Sequence, residues 1–418
     1  MNRPAVIAHA DWSTDADKRW MAVARRSASG GWDASETEPV GDLDTLSGRL
    51  TSAAVCDGPV FIGFDFPIGV PNRYADRIGL TDFRDALVRF GHGDWQNFFK
   101  PASTIADVSS KRPFFPAGAV KKGEVTRDQH ARALGVERYS DLLRECEHRT
   151  DTRAEASSLF WTLGGKQVGK AAIAGWEQLL VPLLADRSDV ALWPFDGALE
   201  ELFDRARIVL AETYPGEFYA HIDVDPGRKA PDNPKRGKTV QDSRRLNAEA
   251  LFRSAERLGV RLSAAATNEI GDGFGSKKNG EDRFDALIGL LGMINVVVGD
   301  RPAGGAANRE RERVEGWILG QARSNQPRST DSKQSKTGLA SPALLAAYES
   351  TLIEVKLVTR TWCVNPGQEG VALPAELAPE AWVITAWNPR SQTLSAAENQ
   401  ARNLELEQLL EARGARIF

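Results

Sequence analysis

The sequence predicts an α/β fold: a mixed sheet interrupted by a helical insertion and followed by a small C-terminal α/β unit. Three observations carry this. Short apolar runs of strand length alternate with stretches of helical spacing. A long, mostly helical and polar region separates the fourth strand from the fifth. A Ser-, Gln- and Lys-rich stretch at 320–342, "GQARSNQPRSTDSKQSKTGLASP", reads as a linker. A chain of 418 residues that is 42% hydrophobic can bury two cores. The expected division is a main domain over 1–319 and a small second domain over 343–418.

Taken in order, "AVIAHADWS" (5–13) is a strand that ends on Asp11, and "RWMAVARR" (19–26) is a second. The turn residues of "STDAD" between them make the pair a hairpin. A third strand is expected through 32–40. "DLDTLSGRLTSAAV" (42–55) has helical spacing and an Asp in its first turn. "PVFIGFDF" returns to strand and delivers Asp65. From about 71 to 196 no clear alternating run occurs, which defines the insertion, and Trp161 and Trp176 within it read as core. "RARIVLAETYP" (205–215) is a buried strand ending on Glu212 and stopped by Pro215. A helix over "QDSRRLNAEALFRSAERLG" follows, then the loop "GDGFGSKKNG", read as flexible. The helix "EDRFDALIGLLGMINVVVG" comes last, with Asp282 and Asp285 three apart on one face of its first turn.

Bulk composition excludes some classes. The net charge of -4 gives no global basic field, so contact with nucleic acid needs a local patch. Cys56, Cys146 and Cys363 lie far apart without a CxxC, against a disulfide framework or a structural zinc site. No signal peptide is legible, and the longest apolar stretch, from Ala286, is the length of a buried core helix rather than a membrane span. A cytoplasmic protein with no membrane association is expected.

The carboxylates carry the chemistry. Asp11 beside Asp65 on adjacent parallel strands would place like charges a few ångströms apart, which is unfavourable unless a divalent cation neutralises them. Oxygen donors without His or Cys suit Mg2+ or Mn2+. Two such ions about 4 Å apart activate a water and stabilise the leaving oxygen in phosphodiester cleavage.

The motifs "ADWS", "IGFDFPIGVP", "ETYPGEFY", "GDGFG", "EDRFDALIGLLG" and "VEGWILG", in this order over residues 4 to 320, resemble the bacterial family called domain of unknown function 429. Its members are regarded as nucleases with a ribonuclease H-like fold. The resemblance implies that Asp11, Asp65, Glu212 and Asp285 are the metal-binding catalytic carboxylates, with Asp282 as an accessory ligand. The tail "AWVITAWNPRSQTLSAAENQARNLELEQLLEARGARIF" (381–418) resembles a second family, domain of unknown function 3293. That family normally continues further, so an incomplete domain ending at the start of a strand, "RIF", is expected. Asn388, Arg390, Asn399 and Arg402 form a polar cluster there that could bind an anion.

Nucleic acid is the expected partner. Residues 228–245, "RKAPDNPKRGKTVQDSRR", hold seven Lys or Arg against two Asp, and their position after Glu212 would let Lys235, Arg236 and Lys238 hold phosphates. Lys277 and Lys278 join them from the glycine-rich loop. "GGKQVGKA" (164–171) imitates a phosphate-binding loop, but Ala171 replaces the hydroxyl that would bind magnesium. His9 lies within a strand and reads as packed. Two other functions compete with a nuclease. An ATP-dependent kinase or ATPase of the actin and sugar-kinase type would need a second phosphate loop and a second copy of the fold, and neither is legible. A non-catalytic nucleic-acid or protein-binding module would need no convergence of Asp11, Asp65, Glu212 and Asp285.

Overall fold

Eight strands build the main sheet: Val6–Asp11 (β1), Trp20–Arg26 (β2), Trp32–Ala34 (β3), Glu38–Pro39 (β4), Val60–Phe64 (β5), Val190–Trp193 (β6), Ile208–Glu212 (β7) and Val260–Leu262 (β8). Their order is β6-β7-β5-β1-β2-β3-β8, with β4 also on β2, so the first strand is central. β1 and β2 form the expected hairpin, while β1, β5, β7 and β6 run parallel. The sheet is therefore mixed. β5 and β7 are buried along their whole length, and β1 along all but its last residue, as suits apolar strands covered on both faces. The computed structural model describes residues 3–117, 125–150, 153–163, 168–185, 187–227, 237–306 and 308–322, together with four short strands beyond them.

Two cores lie on opposite faces of this sheet. Val6, Ala8 and Ala10 of β1, with Val60, Ile62 and Phe64 of β5, face the helical insertion. Ile7 and Phe61 face the other way, toward the helices Ala248–Arg257 and Gly280–Val297. Successive residues alternate because the side-chain period of a strand is two. Trp161 and Trp176 are buried in the first core, as read from the sequence.

The helix Gly280–Val297 is apolar on all sides after its first turn and is accordingly enclosed. It lies close on the sheet because glycines face it. A Cβ at Gly289 would overlap the His9 imidazole, and one at Gly63 would overlap Met293. His9 is packed as expected, and its Nδ1 meets the Ala286 carbonyl at 3.1 Å. No helix among the described residues is long and apolar enough to cross a membrane.

The structure differs from the sequence reading in three places. The expected strand through 32–40 is two: β3 pairs with Ala24–Arg26 and β4 with Trp20 and Met21, so the chain between them bows away from the sheet. Among the described residues the insertion is helical and looped from Asn72 to Ala185, but closes before β6, a four-residue strand too short to show alternation. β8 is shorter still and was likewise not expected.

The chain divides into two units, Met1–Ser324 and Asn325–Phe418. In the second, Ile353–Leu357 (β9), Arg360–Val364 (β10), Val383–Ala386 (β11) and Arg416–Ile417 (β12) make a sheet in the order β10-β9-β11-β12. Arg416 and Ile417 of the terminal "RIF" are thus strand, pairing parallel with β11. Most of the expected linker, the polar cluster Asn388, Arg390, Asn399 and Arg402, and residues 164–167 of the glycine-rich stretch lie outside the described residues.

The glycine contact gives a test. Gly289→Ala should cost on the order of 1–3 kcal/mol in chemical denaturation, because the helix cannot retreat from His9 without losing its other contacts. A change within about 0.5 kcal/mol would mean that the helix does not depend on this approach.

Candidate active site

Asp11 ends β1 and Asp65 follows β5 directly. The Asp65 N–H donates to the Ala10 carbonyl at 3.0 Å, which extends the register that pairs Ala10 with Phe64 and sets the two aspartates side by side. Adjacent strands are about 4.8 Å apart. Both residues share the parity of Ile7 and Phe61, so both face the helix Gly280–Val297.

That helix supplies the third carboxylate. Gly289 sits on His9, and Asp285 lies four residues back, about 6 Å along the helix axis. Asp11 lies two residues beyond His9, about 6.6 Å along the strand. The matching steps carry Asp285 to Asp11. Asp285 is buried, while Asp11, Asp65 and Asp282 keep part of their surface.

Asp285 is held from two sides. Tyr219 donates its hydroxyl to Oδ1 at 2.6 Å, and the Lys238 ammonium is hydrogen-bonded to Oδ2. Lys238 also lies 3.2 Å from Glu281, one helical turn before Asp285. The lysine is placed by a buried arginine. Arg244 donates to the carbonyls of Lys238, Gly273 and Gly275, clamping the "GDGFG" loop against the lysine's own backbone. In this loop Gly273, Phe274 and Gly275 all have positive φ, and Phe274 is buried.

Glu212 does not join this group. It pairs in register with Phe64, one residue before Asp65, and so has the opposite parity. It faces the insertion, where Arg144 donates to both its oxygens at 2.6 Å and the Ile68 N–H donates to Oε2. The same guanidinium donates to Glu147, to the Ile68 carbonyl and to the Glu315 carbonyl. Arg144 is fully buried and ties the insertion, the end of β7 and the segment after 308 into one network.

The basic residues divide similarly. Lys235 and Arg236 lie outside the described residues. Lys238 turns inward to Asp285 and Glu281, and Lys277 and Lys278 are exposed on the loop before the helix. Sequence reasoning missed Tyr219, Glu281, Arg144 and Arg244. Glu281 had a signal, the i, i+4 spacing to Asp285 that sets both on one helix face.

Burial and mutual repulsion dominate the electrostatics. Burial, then the charges of Asp285, Asp65 and Asp282, push the Asp11 carboxyl well above its usual range. Burial and Asp285 push Asp65 up to about 7, against the pull of Lys238. Burial, Glu281 and Asp285 push Asp282 up to about 6. Burial works against the Lys238 ammonium, but Asp285, Tyr219 and Glu281 outweigh it and raise its pKa. The group thus holds more carboxyls than its one lysine can balance, and proton uptake relieves the repulsion. Among the described residues no three His, Cys, Asp or Glu are arranged to hold a metal ion. The donor chemistry, carboxylate oxygens alone, is that preferred by a hard divalent cation. Lys238 stands where such an ion would meet Asp285.

Among known proteins, the family described as Protein of unknown function (DUF3293) matches residues 384–418. No curated protein and no solved structure matches the chain.

The raised carboxylates fix a pH dependence. Asp65 has a folded pKa of about 7 against 3.8 for the free side chain, so the stability it contributes is complete below about 3.8 and is lost as pH rises through 7. His9, held down to about 3 by burial, acts in the opposite sense and costs stability as pH falls below 6.5. Comparing Asp65→Asn with wild type in chelator removes the His9 effect. The variant should gain on the order of 1–3 kcal/mol relative to wild type between pH 5 and pH 8 in denaturant titrations. Parallel pH profiles would show that Asp65 ionises freely.

Proposed function

We propose that this chain hydrolyses phosphodiester bonds of nucleic acid, with divalent cations, Mg2+ or Mn2+, held by Asp11, Asp65 and Asp285 and assisted by Asp282. The observation that carries the reading is the gathering of three carboxylates from β1, the end of β5 and the helix Gly280–Val297 on one sheet face, with Asp11 and Asp65 both raised. The resemblance of the ordered motifs to the predicted nucleases of domain of unknown function 429 supports it. Glu212 has no part as a ligand in this version, because Arg144 satisfies both its oxygens.

Bound cations would supply an activated water and charge stabilisation at the leaving oxygen. The chain's own residues do the rest. Tyr219 fixes one oxygen of Asp285 and so its orientation, the part that outer hydrogen bonds play at metal carboxylates. Lys238 neutralises Asp285 until a cation replaces it. Its flexible four-carbon stem then leaves the ammonium available to a phosphate oxygen.

The test is a cleavage panel of labelled single-stranded and double-stranded DNA and RNA with Mg2+, Mn2+ or chelator. Wild type should cut at least one substrate only with metal, and Asp11→Asn should lose activity by about a hundredfold or more. Metal should also raise the melting temperature of wild type and not of Asp11→Asn, while the metal-free variant is no less stable than metal-free wild type. A metal-free Asp11→Asn that melts lower, with a surviving metal response, would make Asp11 structural and overturn the reading.

A further inference from the structure

The Asp11 site continues sideways into a cleft. Asp11 pairs in register with Trp20 of β2, and Trp20 pairs with Pro39 of β4, so Asp65, Asp11, Trp20 and Pro39 form one row across four strands. Trp20 and Pro39 line a cleft of about 950 Å³ between the bowed segment 35–37 and the loop 272–279. The cleft is therefore bordered by the residue paired with Asp11 on the neighbouring strand.

Its walls are mixed in character. Arg283 lies over the Trp20 ring, 5.0 Å from its centroid, and is bound to Thr37 and Glu269. This fixes the indole against the helix's first turn. Thr37 and Gln241 add polar side chains. Trp20 Nε1 and Asn279 Oδ1 are buried polar atoms without a partner in the protein, and both residues line the cleft. Lys277 also lines it and is exposed, whereas Arg25, which pairs in register with Val6, leaves the sheet on the opposite face from Asp11. Glu36 and Glu38 stand at the same cleft, so it is not a groove for a run of phosphates.

The geometry points to a subsite for one nucleotide of a single strand, the unpaired nucleotide next to the phosphodiester held at Asp11. This rests on the phosphodiesterase reading. A cleft of this volume suits a small ligand. A duplex keeps its bases paired and stacked inside the helix and so does not present one to the cleft. An indole beside hydrogen-bonding side chains and an exposed lysine matches a base, a sugar and a single phosphate, the combination by which single strands are held.

The test uses the full chain, with Ca2+ replacing Mg2+ to suppress cleavage, and a fluorescein-labelled short oligonucleotide, single-stranded or annealed to its complement. Lys277→Ala alters an exposed side chain, and its melting temperature checks folding. This variant should bind the single strand about threefold or more weakly, bind the duplex as wild type does, and keep the Mn2+-induced melting shift. Gln241→Ala, a neutral change, should also weaken the single strand alone. Unchanged single-strand binding in both variants, or equal loss for the duplex, would overturn the subsite and leave the metal site standing on its own melting shift. Wild type that binds neither oligonucleotide would overturn the subsite and the nucleic-acid reading together.

Discussion

The last residue of a strand in a covered sheet must point to one face or the other, and that choice governs the charge arrangement of this protein. Asp11 and Asp65 share a parity and meet the helix Gly280–Val297; Glu212, one register position earlier than Asp65, points through to the insertion. Each face then needs its own cation. On one, Lys238 meets Asp285; on the other, Arg144 meets Glu212. A buried carboxylate without such a partner would be strongly destabilising, so the two cations are requirements of the placement rather than additions to it.

The two charge centres differ in completeness. Arg144 spends its guanidinium donors on Glu147, Glu212 and two backbone carbonyls, and Glu315 receives the N–H groups of Asn72 and Glu145 through its carboxylate. Such saturation suits a permanent joint between insertion and sheet. Across the sheet, four carboxylates and Glu281 face a single lysine. Close approach of the helix through Gly289 holds Asp285 there despite the repulsion. An unbalanced cluster of carboxyls with raised pKa values at the ends of strands is typical of functional sites.

Much of this was legible in the sequence. β1, β5 and β7 are apolar runs with a carboxylate at the exit, and the helix from Gly280 announces itself by length and hydrophobicity, so Asp11, Asp65 and Asp285 could be grouped. Glu212 could not be assigned a face, because parity depends on the exact pairing of Glu212 with Phe64, which a one-residue slip reverses. Lys238 lay hidden in a basic loop whose composition points outward to phosphates, and only the Arg244 clamp turns it inward. β6 and β8 are too short to carry a periodic signal. The cleft arises from the break between β3 and β4, a departure from what reads as one continuous strand.

The central claim is that Lys238 stands in for a metal ion at Asp285, and titration calorimetry of Mn2+ into wild type and Lys238→Met without nucleic acid tests it most directly. If the ammonium and the ion compete for the same carboxylate, the variant should bind Mn2+ about tenfold or more tightly. Equal or weaker binding by a folded Lys238→Met would contradict the claim and leave the aspartates and Lys238 as a structural ion cluster.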